Sequence, residues 1–333
     1  MILAGDIGGT NTRIAFVKEE NGRFTIAVEK TFASRENPSL ETVLRKFLAE
    51  HQGKVTLSCF GVAGPVLNGR CEATNLPWVV DARKVARILK LRHVGLINDL
   101  EANAYGIDVL DSKDFVVLNR GSLNRRGNRA VISAGTGLGE AGMLWDDTRH
   151  RPFASEGGHS DFAPRNHLEI ALLEFLLERF SRVSFERVVS GPGLLNIYQF
   201  LRDTGRAEEP AWLAEHMRHH DQPAVISKMA IEKKSPLCEQ ALDLFVSLYG
   251  SEAGNFALKI MATGGIYIGG GIAPKILPKL KDPLFMNAFV AKGRLKPLLQ
   301  AMPVRIIVNP KTALLGAANC AIIESRSGAS RLK

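Results

Sequence analysis

The sequence predicts an α/β fold, and three observations carry that reading. Strand-like runs alternate with helix-like runs from Ile2 to Ile97. A strand, a glycine-rich turn and a second strand occur at Ile2–Val17 and again at Ala130–Leu144, a short echo that points to internal duplication. The length of 333 residues exceeds one ordinary domain and suits two modest ones sharing a cleft.

Taken in order, Ile2-Leu3-Ala4 enters the turn at Gly8-Gly9, and Thr12 to Val17 leaves it, which reads as a hairpin. Leu40, Val43, Leu44, Phe47 and Leu48 recur at helical spacing, with Asn37 or Ser39 as N-cap and Pro38 tolerated nearby. Strands are expected at Val55–Val62 and His93–Ile97, with a helix at Asp81–Leu89 between them. The second hairpin spans Ala130 to Leu144. Leu168 to Phe180 reads as a largely buried helix, the polar, irregular Arg202 to His220 as a surface loop or a variable insertion, and Phe245 to Met261 as a helix ended by Gly264-Gly265. Ile266-Tyr267-Ile268 and Val304–Val308 read as strands, Ala313–Ile323 as a closing helix, and the small, basic tail from Ser325 as frayed. The expected domains are a small one at 1–110, completed by a C-terminal helix at about 301–323, and a large one at 111–300, with 324–333 as a disordered tail.

Composition narrows the partners. Hydrophobic residues make up 45% and charged residues 23%, enough to supply a core. A net charge of +9 could draw nucleic acid, an anionic membrane or a small polyanion. The basic residues are scattered, however, and Arg125-Arg126 and Lys233-Lys234 are isolated pairs without a recognition motif, so no nucleic-acid partner is expected. Cys59, Cys71, Cys238 and Cys320 show no zinc or redox spacing and read as reduced thiols. Met1–Ile7 is interrupted by Gly5 and Asp6 and reads as a first strand, not a signal peptide. No apolar stretch approaches the ~20 residues of a membrane span. A cytoplasmic protein without a membrane partner is the expectation.

Four constellations carry chemistry. In Gly5-Asp6-Ile7-Gly8-Gly9-Thr10-Asn11, the glycines let backbone N–H groups approach phosphate oxygens, and Asp6 can reach a metal ion or its waters. An ordinary tight turn capped by Asp6 explains the same residues. Gly135-Thr136-Gly137-Leu138-Gly139 is a second such turn, and the pair could grip one triphosphate. Asn98-Asp99 follows an apolar strand, where ligands collect in α/β sheets, although on spacing alone a helix cap is the simpler reading. Glu156-Gly157-Gly158-His159 offers hydrogen-bonding groups for hydroxyls, with Glu186 and Asn75 as further candidates. The cluster His216, His219 and His220 reads as a solvated face.

Together these segments resemble the bacterial glucokinase family, of the actin-like ATPase superfamily. The resemblance runs from Gly5 to about Ala321, with Thr74-Asn75-Leu76-Pro77-Trp78, Glu186-Arg187-Val188-Val189-Ser190-Gly191-Pro192-Gly193 and Gly269-Gly270-Gly271-Ile272-Ala273-Pro274 completing the markers in family order. It implies a two-domain actin-like fold with glucose and ATP bound in a cleft. It implies that Asn75, Asn98, Asp99, Glu156, His159 and Glu186 hold the sugar, with Asp99 as catalytic base. It assigns Gly5, Asp6, Ile7, Gly8, Gly9, Thr10, Gly135, Thr136 and Gly137 to the phosphates. Gly191, Gly269, Gly270 and Gly271 go to the nucleoside, and Asp6 to Mg²⁺ through water. No cysteine-rich motif follows His159, so no structural zinc is expected, and a homodimer is. Ser133 and Asn309-Pro310-Lys311 depart from the pattern. Other hexoses or N-acetylhexosamines stay open as substrates. Two other classes are weighed as well. A non-catalytic sugar sensor would need a DNA-reading segment for which the start leaves no room. A chaperone- or actin-like ATPase would turn over ATP without sugar.

Overall fold

The computed structural model describes residues 1–73, 76–122 and 124–330. Residue contacts divide the chain into two units. One comprises Met1–Asp114, Pro152–Ala154 and Asn309–Lys333; the other comprises Phe115–Arg151 and Ser155–Val308.

The first unit runs β1 (Ile2–Ile7), β2 (Asn11–Glu20), β3 (Arg23–Ala33), α1 (Leu40–Glu50), β4 (Leu57–Val62), the short β5 (Val66–Leu67), β6 (Arg70–Glu72) and β7 (Val79–Asp81), α2 (Ala82–Leu89), β8 (Gly95–Asn98) and α3 (Asp99–Ile107). Its main sheet has the order β3-β2-β1-β4-β8, and β5 to β7 form a small separate sheet. β1 and β2 are the antiparallel arms of the expected hairpin, with Ile7 opposite Thr12, while β1, β4 and β8 run parallel. Alternation sorts the strand residues onto two faces. Leu3, Ile7, Phe16 and Phe60 pack with Val43, Phe47 and Val85 of the first two helices. Ile2, Ala4, Val17 and Cys59 pack instead with Leu314, Ala317 and Ala321 of the closing helix, Thr312–Ser330. Two helix starts in this unit have a clear chemical cause. Ser39 caps α1 by accepting from the Thr42 N–H, and Asp81 caps α2 by accepting from the Arg83 N–H.

In the second unit the chain runs β9 (Phe115–Asn119), β10 (Arg129–Ala134), β11 (Leu138–Trp145), β12 (His150–Ser155), α4 (His167–Leu177), α5 (Gly191–Asp203), α6 (Ala211–His219), α7 (Gln222–Ile231), α8 (Pro236–Lys259), β13 (Gly265–Gly269), α9 (Leu277–Lys281), α10 (Pro283–Val290), α11 (Lys296–Ala301) and β14 (Val304–Ile307). The closing helix is α12. The larger sheet has the order β12-β11-β10-β13-β14-β9. β10 and β11 are the second hairpin, with Ala134 opposite Leu138, and β10, β13 and β14 run parallel. The core gathers around α8, which buries Leu237, Ala241, Phe245, Leu248, Tyr249 and Phe256.

Four expectations change. The segment 202–220 holds helix α6, whose Leu213 and Met217, one turn apart, are buried. α4 is helical but not largely buried, since Leu168, Ile170 and Leu177 are exposed. Strand β14 pairs with β13, so the C-terminal piece that joins the first unit starts at Asn309 and not near 301. The closing helix runs to Ser330, past the end expected at 323. The four cysteines are free and buried, and no helix among the described residues is long and apolar enough to cross a membrane.

Candidate active site

In the first unit the parallel strands deliver the chemistry to one edge. β1, β4 and β8 end at Ile7, Val62 and Asn98, so the Gly8–Thr10 turn and the Asn98-Asp99 pair both lie at carboxyl ends of parallel strands. Asn98 caps α3. Its Oδ1 accepts from the Leu100 N–H at 2.8 Å, while Glu101 Oε2 accepts from the Asn98 N–H at 3.1 Å, a capping box. Its Nδ2 donates to Gly64 O at 3.1 Å, which leaves one amide hydrogen for a ligand. Asp99 is the first residue of α3, where the helix dipole favours a negative charge. That charge is felt next door: the Cys71 thiol is pushed up to about 11, first by burial and then by Asp99 and Glu72. Gly61 and Gly316 allow this placement. A side chain at Gly61 would press on Ala102, and one at Gly316 would overlap the Ala102 carbonyl where α12 crosses α3.

The Gly8–Thr10 turn is pinned from behind. Ser34 Oγ donates to Gly8 O at 2.8 Å and the Ser34 N–H donates to Thr10 O at 2.9 Å. In a trans peptide the carbonyl and the next N–H point opposite ways, so the Gly9 N–H faces away from Ser34. Asp6 keeps 26% side-chain exposure, with Arg13 Nη1 at 3.8 Å from Oδ2. Burial raises its pKa and Arg13 opposes that.

The second unit concentrates its candidates around Leu138. The Leu138 N–H donates to Glu186 Oε2 at 2.9 Å, and a Cβ on Gly137 would meet the same oxygen. Gly158 lies against the Leu138 carbonyl, where any side chain would overlap it. Backbone bonds from Phe162 N–H to Val183 O and from Phe185 N–H to Ser160 O zip the Glu156–His159 segment to the one carrying Glu186. Glu156 and His159 flank a short 3-10 turn and are exposed, while Glu186 is half-buried. The Gly191 N–H, at the start of α5, donates to Gly135 O at 2.8 Å, which puts a helix N-terminus beside the glycine turn. Gly270, at φ +83, lies against Ala134 O, so Gly269–Gly271 approaches the same turn.

Sequence reasoning missed Tyr249. Its buried hydroxyl accepts from the Ala134 N–H at 3.1 Å and donates toward Ile132 O at 3.2 Å or Gly269 O at 3.4 Å. It fastens the strand ends behind Gly135 and Gly270. A tyrosine at an apolar helix position is the only trace it leaves in the sequence.

Each predicted site residue is thereby placed, except Asn75, which lies outside the described residues. Gly5, Asp6, Ile7, Gly8, Gly9 and Thr10 cluster with Asn98 and Asp99 in the first unit. Gly135, Thr136, Gly137, Glu156, His159, Glu186, Gly191, Gly269, Gly270 and Gly271 cluster in the second. Among the described residues no group of three or more His, Cys, Asp or Glu could hold a metal ion.

Paired glycine turns on parallel strands, with carboxylates among them, are the arrangement that the resemblance to actin-like sugar kinases implies. The comparisons narrow it. The Glucokinase family profile matches residues 3–323. The glucokinase of Trichormus variabilis is 42% identical, covering 96% of this chain and 98% of the relative. The crystal structure of glucokinase from an Antarctic psychrotroph superposes with a TM-score of 0.83 at 31% identity, covering 97% and 98% of the two chains. That of Balamuthia mandrillaris glucokinase in complex with glucose shares the fold, with a TM-score of 0.81 at 22% identity over 96% and 93%. The chain belongs to the glucokinase family, and its activity is that of an ATP-dependent glucose kinase.

Proposed function

We propose that the chain moves the γ-phosphoryl group of ATP to the 6-hydroxyl of D-glucose with Asp99 as the base. The sugar oxygen bonds to phosphorus, the bond from phosphorus to the bridging oxygen of ADP breaks, and the hydroxyl proton passes to an Asp99 oxygen. A carboxylate of ordinary pKa, ~3.9, is too weak to strip a free hydroxyl beforehand. It orients the hydroxyl and takes the proton late, as bonding to phosphorus makes it acidic. The reaction asks the rest of the site for alignment and charge stabilisation. The turns Gly5–Thr10 and Gly135–Gly137 hold the phosphates, Gly191 and Gly269–Gly271 face the nucleoside, and Asn98, Glu156, His159 and Glu186 take the sugar hydroxyls, with Asn75 as their neighbour. The observation that carries this is the bond from the Leu138 N–H to Glu186, which joins a hydroxyl-binding carboxylate to a phosphate-binding turn.

Mg²⁺ fits Asp6. A partly dehydrated carboxylate whose nearest cation is 3.8 Å away gains from a second cation, and Mg²⁺ keeps most of its waters while bound to phosphates. When bound, it would neutralise charge on the phosphates, with Asp6 holding it through water. We further propose a cytoplasmic homodimer, for which sedimentation is the direct measurement. Carboxylates paired with particular hydroxyls favour glucose over epimers, because a misplaced hydroxyl leaves a partner unpaired. A coupled assay of kcat/KM over glucose, mannose, fructose and N-acetylglucosamine tests that choice.

Asp99→Asn is expected to cut kcat by at least ~10²-fold while glucose binding survives. Near-normal turnover would remove Asp99 from the role.

A further inference from the structure

Beneath the turn that carries Glu156 and His159 lies a carboxylate for which the reaction has no use so far. Glu140, on β11, is 1% exposed. Its Oε2 lies against Gly157 so closely that a Cβ there would overlap it. Its Oε1 is buried and has no hydrogen-bond partner among the described residues. Glu252 of α8, itself fully buried, stands close to Glu140. Asn255 Nδ2 donates to Glu252 Oε2 at 2.8 Å, and Lys259 Nζ stands 3.5 Å from Glu252 Oε1. Two carboxyl groups that share a buried site raise each other's pKa, so that one of them keeps its proton.

We propose that Glu140 is a positioning residue for sugar binding: its buried carboxyl, pressed against Gly157 with Glu252 close by, is the floor on which the Glu156–His159 turn rests. The inference rests on the reading above, in which that turn holds the sugar. With the proton in place, Glu140 presents a neutral surface to the Gly157 backbone. Without it, two buried negative charges repel each other directly under the turn, and the turn lifts. Burial, then Glu252, push Glu140 up to about 8, with Lys259 opposing. The other titratable groups facing this pair are Tyr249 on α8 and Lys292 beyond α10. Lys292 needs separating from Glu140, since burial lowers it to about 8 as well. Replacing Glu140 alone does that.

The test is the pH dependence of KM for glucose and for ATP, measured with the full-length protein from about pH 6.5 to 9.5. Above about pH 8, KM for glucose is expected to climb toward the one-proton limit of tenfold per unit while KM for ATP stays flat. Glu140→Gln, uncharged at every pH, is expected to abolish the climb, and Glu140→Ala to raise KM for glucose already at neutral pH. A parent enzyme whose KM for glucose does not climb, or a Glu140→Gln enzyme that keeps the climb, overturns the proposal. Glu156→Gln separates the two layers. If it leaves KM for glucose unchanged, the sugar-binding reading fails. If it raises that KM while Glu140→Gln keeps the alkaline climb, only the role of Glu140 fails.

Discussion

The turns after Ile7 and after Ala134 each follow a buried strand and reverse it into an antiparallel arm, and each lies beside a parallel neighbour strand. In both, the N–H of the first glycine closes the loop, Gly8 onto Asn11 O and Gly135 onto Gly137 O. In both, a carbonyl is tied down from behind, by Ser34 in one and by the start of α5 in the other. The residue one before the strand's end differs. It is Asp6 in the first turn and Ser133 in the second, where the hydroxyl is buried under Gly269 with no hydrogen-bond partner among the described residues. On the reading proposed above, the first turn brings a carboxylate for a cation and the second only neutral groups and a helix end, a division of labour between two examples of one backbone device.

The largest way to break that division is Asp6→Asn. Removing a carboxylate that acts on a metal through water is expected to weaken the apparent Mg²⁺ affinity by roughly 10–100-fold. A Mg²⁺ titration of the glucose-dependent rate reads it, and an unshifted curve would make Asp6 a turn cap only. Tyr249→Phe comes next and touches the second turn alone. It leaves the buried Ala134 N–H without its partner, at about 1–3 kcal/mol in urea unfolding, and is expected to raise KM for ATP more than KM for glucose. Equal changes in both constants would mean that Tyr249 serves the core and not the turn. Ser133→Ala is the smallest. Deleting an unpartnered buried hydroxyl is expected to raise stability by up to about 1 kcal/mol with turnover intact, and a large loss of ATP binding would give Ser133 a ligand role.

Both hairpins could be read from the sequence because their signals are local: glycines between β-branched runs, and a period of two. The same holds for Asn98, where the cap reading and the functional reading of the pair are both compatible with the geometry, since the cap leaves one Asn98 amide hydrogen to spare. What escaped is non-local or ambiguous. Glu140 and Glu252 meet only through the fold, and no spacing announces a pair so far apart in the chain. α6 went unread because only Leu213 and Met217 mark its apolar face among charged residues. α4 misled in the opposite sense. Its apolar residues go all round the helix, the pattern of a buried element, yet Leu168, Ile170 and Leu177 face outward. The start of α8 was legible in principle, since Ser235 caps it and Pro236 occupies its first turn.

The crossing of α12 over α3 has a consequence in time. One face of the first sheet, Ile2, Ala4, Val17 and Cys59, is covered by residues 313–322, and α3 presses its Ala102 carbonyl against Gly316. At ~5–20 residues per second, the ribosome needs on the order of tens of seconds to travel from that face to its cover. Through that interval the helix that carries Asp99 lacks its seat, and the second unit likewise waits for its strand β14 at Val304–Ile307. Both units are therefore completed only as synthesis ends, and Asp99 is set with them.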